Sequence, residues 1–327
     1  MSRSSAFLLL RALPILLLVP GHAVADPPAY QGSWGTYGSG PGQFTGPVGI
    51  AVTSDGSVLV SDGGSRVQRF TPNGQYIGEF GPYGTGPGEF NNPAGIAQDG
   101  SGNLYVTDAL NQRVQKFSSG GAFLLSWGSM GTGDGQFELP RGIAVGPNGH
   151  VYVADWNLDR VYEFTDAGVL VRTIGQFGYG LGDLGGPSGV VVAPLGDLFV
   201  SEDLNHRIQH FDSSGNPIAL IDLDTIVPRG TGPTQPFGIA LSPGGHLLVT
   251  DYSNHRVIEL TGDGQFVQVW GSLGAGAGQM NYPLGIAIGA DGGIYVADHM
   301  NARIDKFGAL PTPATHSSWG KLKKHYR

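Results

Sequence analysis

A pattern that returns six times at nearly constant spacing constrains this chain more than anything else in it. Arginines that open a strand-like segment, a few residues after an acid, fall at Arg66, Arg113, Arg160, Arg207, Arg256 and Arg303, separated by 47, 47, 47, 49 and 47 residues. A second marker, Pro-x-Gly-(Ile/Val)-(Ala/Val), keeps the same phase at Pro47, Pro93, Pro140, Pro187, Pro236 and Pro283. Self-similarity at this period specifies a repeat architecture, in which one unit buries its apolar faces only against its neighbours.

Each unit reads as four short β-strands. In the third they are Gly142 to Val145, Val151 to Asp155, Arg160 to Phe164 and Val169 to Ile174, separated by Pro147-Asn148-Gly149, residues 156 to 159 and Asp166-Ala167-Gly168. Glycine at 56 residues far exceeds the usual share of about 7%, and charged residues at 13% fall well below the usual quarter, which favours tight turns over long helices. The last unit has only three strands, ending at Arg303 to Phe307. Tyr30 to Trp34, ahead of the first unit, ends in Trp-Gly just as fourth strands end in Phe80-Gly81, Trp127-Gly128, Ile174-Gly175 and Trp270-Gly271. The expected fold is therefore all-β: a six-bladed β-propeller of four-stranded antiparallel blades, with the N-terminal strand completing the last blade and removing the open sheet edge.

A strand ending in Asp, a short turn, Asn-x-Arg-(Val/Ile) and an aromatic resemble the NHL repeat. Asn205-His206-Arg207-Ile208 and Asn254-His255-Arg256-Val257 are the nearest copies, Asp108 to Arg113 and Asp298 to Arg303 fit well, and the resemblance covers about residues 30 to 307. The first unit departs with Ser65 before Arg66, and the fourth has Glu202 for the acid. The resemblance implies several functions. Amidating lyases of this type hold zinc with three histidines, one following the Pro of the innermost strand. The matching positions here are Val48, Ala94, Arg141, Ser188, Phe237 and Leu284, without a histidine, so that site is not expected. Calcium-dependent propeller lactonases place carboxylates or amides in the channel, and none stands at these positions. Ubiquitin-ligase relatives need a cysteine-rich zinc domain, and this chain has no cysteine.

The N-terminus carries Arg3 and Arg11, the apolar run Leu13 to Val19 and Ala23-Val24-Ala25, the layout of a cleavable signal peptide over residues 1–25. A secreted or periplasmic protein follows, with the propeller over residues 26–307. Residues 308–327 read as a flexible tail ending in a basic, aromatic cluster that could serve envelope attachment. Between residues 26 and 307 stand 12 basic and 26 acidic groups, a balance of −14. Such a surface repels phosphate backbones, so no nucleic-acid partner is expected.

A feature present in every blade serves the scaffold. The pairs Asp62/Arg66, Asp108/Arg113, Asp155/Arg160, Glu202/Arg207, Asp251/Arg256 and Asp298/Arg303 are accordingly read as structural, fixing the hairpin turn by charge-assisted hydrogen bonds. Glycine-rich stretches such as Gly84 to Gly88 lack the Gly-Lys-(Ser/Thr) ending of a phosphate loop and read as blade connectors. His150, His206, His246, His255 and His299 are spread over several blades and read as solvent-facing rather than as metal ligands. No metal and no cofactor is expected. Function should sit where the repeats differ. After the repeated acid the chain carries Ala109, Trp156, Asp203, Tyr252 and His299, and the innermost strands add Arg141 and Phe237. These make Trp156, Tyr252, His299, Arg141, Phe237 and Asp203 the candidate ligand-binding set, for a protein, peptide or glycan partner. The connector Asp222 to Phe237 is the least repeat-like stretch, and Arg229 is placed over the same face. A metal-dependent lyase or hydrolase using the channel is the alternative, and a structural envelope protein a third reading.

Overall fold

Within each repeat the second strand is buried along its whole length, as in Val58–Asp62, Leu104–Asp108 and Val151–Asp155, because both of its faces meet other blades. The fourth strand alternates between half-buried and exposed residues, as in Phe123–Trp127, because it faces solvent on one side. These two patterns fix which strand is inside. The computed structural model describes residues 26–310. The expected signal peptide and nearly all of the basic tail lie outside the described residues.

Six separate four-stranded antiparallel sheets result. Blade 1 runs from the channel outward as Pro47–Val52, Val58–Asp62, Arg66–Phe70 and Tyr76–Phe80. The innermost strands of blades 2 to 5 are Pro93–Gln98, Pro140–Val145, Pro187–Val192 and Pro236–Leu241. Blade 6 consists of Pro283–Ile288, Ile294–Asp298 and Arg303–Phe307, closed by Tyr30–Trp34, with Tyr30 opposite Phe307 and Trp34 opposite Ile304.

One apolar cluster fills each of the six seams. Phe44, Ile50, Val60 and Phe70 of blade 1 pack on Tyr295, Ala297 and Ile304 of blade 6, and five equivalent clusters join the other neighbours. The aromatic that ends a fourth strand crosses to the next blade: Trp34 lies 6.0 Å from Phe70, Phe80 5.0 Å from Phe117 and Trp127 5.8 Å from Phe164. Each fully buried aromatic contributes on the order of 1.5–3 kcal/mol through area removed from water.

Around the channel the innermost strands approach so closely that only glycine fits. A Cβ on Gly49, Gly95, Gly142, Gly189, Gly238 or Gly285 would stand 1.9 to 2.7 Å from a backbone carbonyl of the adjacent blade. In four blades a second-strand hydroxyl ties this contact together. Thr107 Oγ1 accepts from Gly95 N at 2.7 Å and donates to the Arg141 carbonyl at 2.6 Å, and Ser61, Ser201 and Thr250 do the same. Blades 3 and 6 carry Ala154 and Ala297 there and lack the tie.

The repeated acid and arginine reach further than the hairpin turn. Asp62 Oδ1 accepts from the amides of Thr45 and Gly46 in the connector entering blade 1. Arg66 meets the same carboxylate and extends its Nη atoms to the carbonyls of Ser39, Gly40 and Gln43. Turn and connector are thereby strapped together on one face. The residue before each arginine (Ser65, Gln112, Asp159, His206, His255, Ala302) takes a left-handed conformation, φ 49 to 60°, which aims the arginine back under the connector.

Two expectations need correction. Arg160 does not pair with Asp155: its Nε donates to the Leu158 carbonyl at 3.1 Å and its guanidinium lies over Tyr162, a residue that occupies the place of Gln68, Gln115 or Gln209 in other blades. Asp155 is held by backbone amides of residues 138, 139, 157 and 158 instead. The five histidines are half-buried and engaged rather than solvent-facing. His150 and His246 each lie 2.6 Å from a buried glutamate, Glu163 and Glu259, His206 lies 2.7 Å from the Thr234 carbonyl, His255 accepts from Tyr282 N, and His299 lies 3.1 Å from the Pro47 carbonyl.

Candidate binding site at the channel mouth

Five of the six candidate residues come together across three blades. Arg141 opens the innermost strand of blade 3, and Trp156 follows the acid of the same blade. Asp203 likewise follows the acid of blade 4, Phe237 takes the Arg141 place on the innermost strand of blade 5, and Tyr252 follows the acid of blade 5. The sharp turn after each second strand leaves this residue on the connector face, beside the channel.

Asp203 is the hub. Its Oδ1 accepts from Trp156 Nε1 at 2.8 Å, and its Oδ2 lies 3.4 Å from Arg141 Nη1, which also reaches Ser188 Oγ at 3.2 Å. The guanidinium carbon of Arg141 stands 4.4 Å from the Trp156 ring and 5.4 Å from that of Phe237, so its faces lie against aromatic surface. Phe237 meets Tyr252 edge to face at 6.3 Å, and Tyr252 packs on Tyr282 at 6.0 Å. His255 fixes Tyr282 from below: its ring is 4.8 Å away and its Nδ1 accepts the Tyr282 amide at 3.0 Å, which leaves the imidazole proton on Nε2.

Burial dominates the electrostatics. It pushes the Asp203 carboxyl above its usual range in spite of Trp156 and Arg141, and it lowers the Arg141 guanidinium in spite of Asp203. Both partners move toward neutrality, so desolvation outweighs their mutual attraction. Burial likewise raises the Tyr252 hydroxyl. The result is a fixed aromatic platform around a largely desolvated polar centre, half-buried at Trp156, Phe237 and Tyr252 and open at Tyr282.

His299 does not join this group. It holds the same blade position as Trp156, three blades away, and contacts the Pro47 carbonyl at the seam of blades 6 and 1. Arg229 is exposed on the connector into blade 5, where it lines a cavity with Asp224, Val227 and Gly230 to Thr234. Sequence reasoning missed Gly186, Ser188 as a partner, and Tyr282. Gly186 has φ +59°, and a Cβ there would fall 2.4 Å from Asp203 Oδ1 and 2.8 Å from Trp156 Nε1, so only glycine passes over that bond. Its signal was a second glycine before Pro187, ahead of the only serine at the innermost position.

The channel behind the platform is narrow, with a cavity of about 80 Å³ lined by Val48, Ala94, Arg141, Ser188 and Phe237 with the backbone of the innermost strands. Small-molecule pockets typically run from about 300 Å³ upward. Arg141 and Ser188 are the polar side chains there, and neither is a preferred ligand for zinc or calcium. Among the described residues no group of three or more His, Cys, Asp or Glu is arranged to hold a metal ion. The residues present do not fit a channel metal.

Comparison with known proteins bears on the fold. The NHL repeat model matches residues 90–117, 137–158, 234–259 and 280–307. A streptogramin B lyase is 18% identical over 86% of this chain and 97% of its own, with a TM-score of 0.61. A gluconolactonase from Xanthomonas campestris is 16% identical over 88% and 98%, also at 0.61. A protein of unknown function from Bacteroides thetaiotaomicron is 16% identical over 86% and 73%, at 0.65. At such identities the shared property is the fold. None of the curated proteins compared matches the chain.

Proposed function

This chain is an NHL-repeat six-bladed β-propeller protein, and from that premise we propose that it is a binding module whose ligand stands on the aromatic platform at the channel mouth. The observation that carries this is the bond from Trp156 to Asp203 at 2.8 Å: residues that break the repeat are fastened to one another across a seam. The scaffold does not require it, since no other blade has a Trp at this position. Half-buried aromatic rings held in place by neighbours lose little freedom on binding, the property that makes Trp, Tyr and Arg the dominant contributors in interfaces. The ligand class best suited presents apolar C–H or ring surface to Tyr252, Tyr282 and Trp156 and a hydrogen-bonding edge to Arg141, as a glycan or peptide does.

A propeller enzyme is the alternative, supported by a fold shared with a lyase and a gluconolactonase. The small channel and its lining weigh against catalysis there. We also propose that the module acts outside the cytoplasm; recovery outside it with a mature N-terminus at Asp26 supports this, and retention of all of it in the cytoplasm with Met1 intact overturns it. The binding role is tested by titrating arrays of glycans and peptides against the full chain and Trp156→Phe/Tyr252→Ala. A ligand weakened at least about tenfold by the double substitution, with the fold intact by circular dichroism, supports the platform. Ligands bound equally by both proteins refute it.

A further inference from the structure

Five of the connectors between blades present an apolar side chain to solvent at the same place. Tyr37, Tyr83, Met130, Phe177 and Leu273 occupy it on the way into blades 1, 2, 3, 4 and 6, and each is 61 to 78% exposed. Each is also pinned by a β-bridge to a fully buried apolar residue of its own connector: Phe44, Phe90, Phe137, Leu184 or Met280. The buried member fixes the connector in its seam, so the exposed member is held outward. Water gives such a side chain no stabilisation there. The connector into blade 5 departs, carrying the short helix Leu223–Ile226 with exposed Asp224 and Arg229.

Apolar and acidic groups divide between the two faces of the ring. Among the described residues eighteen large apolar side chains are exposed, and eleven of them stand in the connectors or in the turns after the repeated acids, all on the connector face. Phe177 is joined there by Tyr179, its ring 5.9 Å away, and the turns add Leu110, Leu204 and Met300. The same five connectors, residues 35–46, 81–92, 128–139, 175–186 and 271–282, contain no lysine or arginine. The hairpin turns at the other end of the strands carry seven aspartates, none of them buried, among them Asp55, Asp166 and Asp263.

We propose that the connector face docks on a zwitterionic lipid bilayer, with these tips entering its headgroup layer. Equivalent places in a closed ring lie on one circle, so the five tips meet a single plane, which a bilayer surface provides. Each tip stands on its own glycine-rich connector. A protein partner would need a contiguous, closely packed apolar centre, whereas a fluid layer closes around separate side chains. Tyr37, Tyr83 and Tyr179 carry the amphipathic ring that settles at headgroup level. Without basic groups these connectors have nothing to hold an anionic surface, and the aspartates of the opposite face point away from the contact. The docking does not depend on the channel-mouth platform, whose residues keep their identity in the test.

The chain has no cysteine, so a single introduced thiol can carry an environment-sensitive fluorophore. The full chain is labelled through Phe177→Cys, or through Leu195→Cys in an exposed turn of the opposite face, and titrated with phosphatidylcholine vesicles. A saturating blue shift for the first label and none for the second is expected. Adding Tyr83→Ser and Leu273→Ser to the Phe177→Cys chain should weaken partition at least about tenfold, since binding scales with buried apolar surface. Adding Val169→Ser, exposed at the other end of the strands, should leave it unchanged. Phosphatidylglycerol in the vesicles should not strengthen it. No shift for the first label, equal shifts for both, undiminished partition in the double serine variant, or binding that requires the anionic lipid overturns the proposal. A shift that grows with protein concentration in the absence of vesicles assigns the face to a second copy of the chain and overturns it as well.

Discussion

Trp156 Nε1 donates to Asp203 Oδ1 at 2.8 Å across the seam between blades 3 and 4, and Arg141 shares the other oxygen of that carboxylate at 3.4 Å. Removing Asp203 would leave an indole N–H and a guanidinium without their acceptor in a nearly closed environment. Asp203→Ala is expected to lower unfolding free energy by about 1–3 kcal/mol. Trp156→Phe removes only the indole bond and keeps ring packing, so it should cost less. Urea unfolding of the two variants compares them, and equal losses would contradict the hub assignment.

The repeat arginines are unequal, which a matched pair of substitutions exposes. Arg113 meets Asp108 at 2.8 Å and donates to the carbonyls of Thr85, Gly86 and Glu89, whereas Arg160 reaches the Leu158 carbonyl and Tyr162. Arg113→Ala leaves the fully buried Asp108 without its counter-ion, though still bonded by Asn91 N, Asn111 and Gln115, and a loss of about 3 kcal/mol is expected. Arg160→Ala should cost less, about 1 kcal/mol, since it removes one bond to the Leu158 carbonyl and leaves Asp155 on its four backbone amides. Thermal unfolding distinguishes them.

Fold and site differed in how far they could be read from the chain. Closure by Tyr30 to Trp34 was legible because a missing fourth strand in blade 6 and a surplus one at the start are a matter of counting. Trp156, Asp203, Tyr252, Arg141 and Phe237 were legible because subtracting the repeat leaves them standing. His299 was selected by the same logic but is carried three blades away by the ring, a distance that blade position alone does not convey. Arg160 could not be read correctly, since its loss of Asp155 depends on Tyr162 filling space that a glutamine leaves open. The histidines were misjudged because their glutamate, carbonyl and amide partners lie on other strands or connectors, 13 or more residues away.

Seam hydroxyls offer a test in both directions. Thr107→Ala removes bonds of 2.7 and 2.6 Å from Gly95 N and the Arg141 carbonyl and should cost about 1–3 kcal/mol. Ala154→Ser, at a position where the seam of blades 3 and 4 lacks its tie, should gain about 0.5–1.5 kcal/mol if the hydroxyl reaches Gly142 N and the Ser188 carbonyl. A destabilised Ala154→Ser would show that the apolar packing there leaves no room.

Asp305 stands where blades 1, 2 and 4 carry glutamine, fully buried beside Asp298 and Arg303. Its Oδ1 lies 3.1 Å from Arg303 Nε but has no aligned hydrogen bond. Burial, reinforced by the Asp298 charge, raises its pKa to about 8. In the unfolded chain an aspartate titrates near 3.9, so between these values the folded protein holds the extra proton. Stability should therefore fall as pH rises from about 4 to about 8 and level off above. Asp305→Gln, which can reach the Gly278 amide and Gln279 carbonyl as Gln115 reaches Gly88 and Glu89, should flatten that slope and raise stability by about 1–3 kcal/mol at pH 8. Unfolding followed from pH 4 to 9 decides it, and an unchanged slope would contradict the assignment.

The pairing of Tyr30–Trp34 with Arg303–Phe307 means that the earliest strand of the ring waits for the latest. Until the polypeptide extends past Phe307, Trp34 has no Ile304 to face and blade 1 has no neighbour against which to cover Phe70 and Ile50. A product cut short anywhere in the sixth repeat keeps five well-formed sheets yet shows two raw edges, the very surfaces that invite aggregation or proteolysis. Completeness of synthesis is thus monitored by the architecture itself, and the penalty for incompleteness falls on both ends at once.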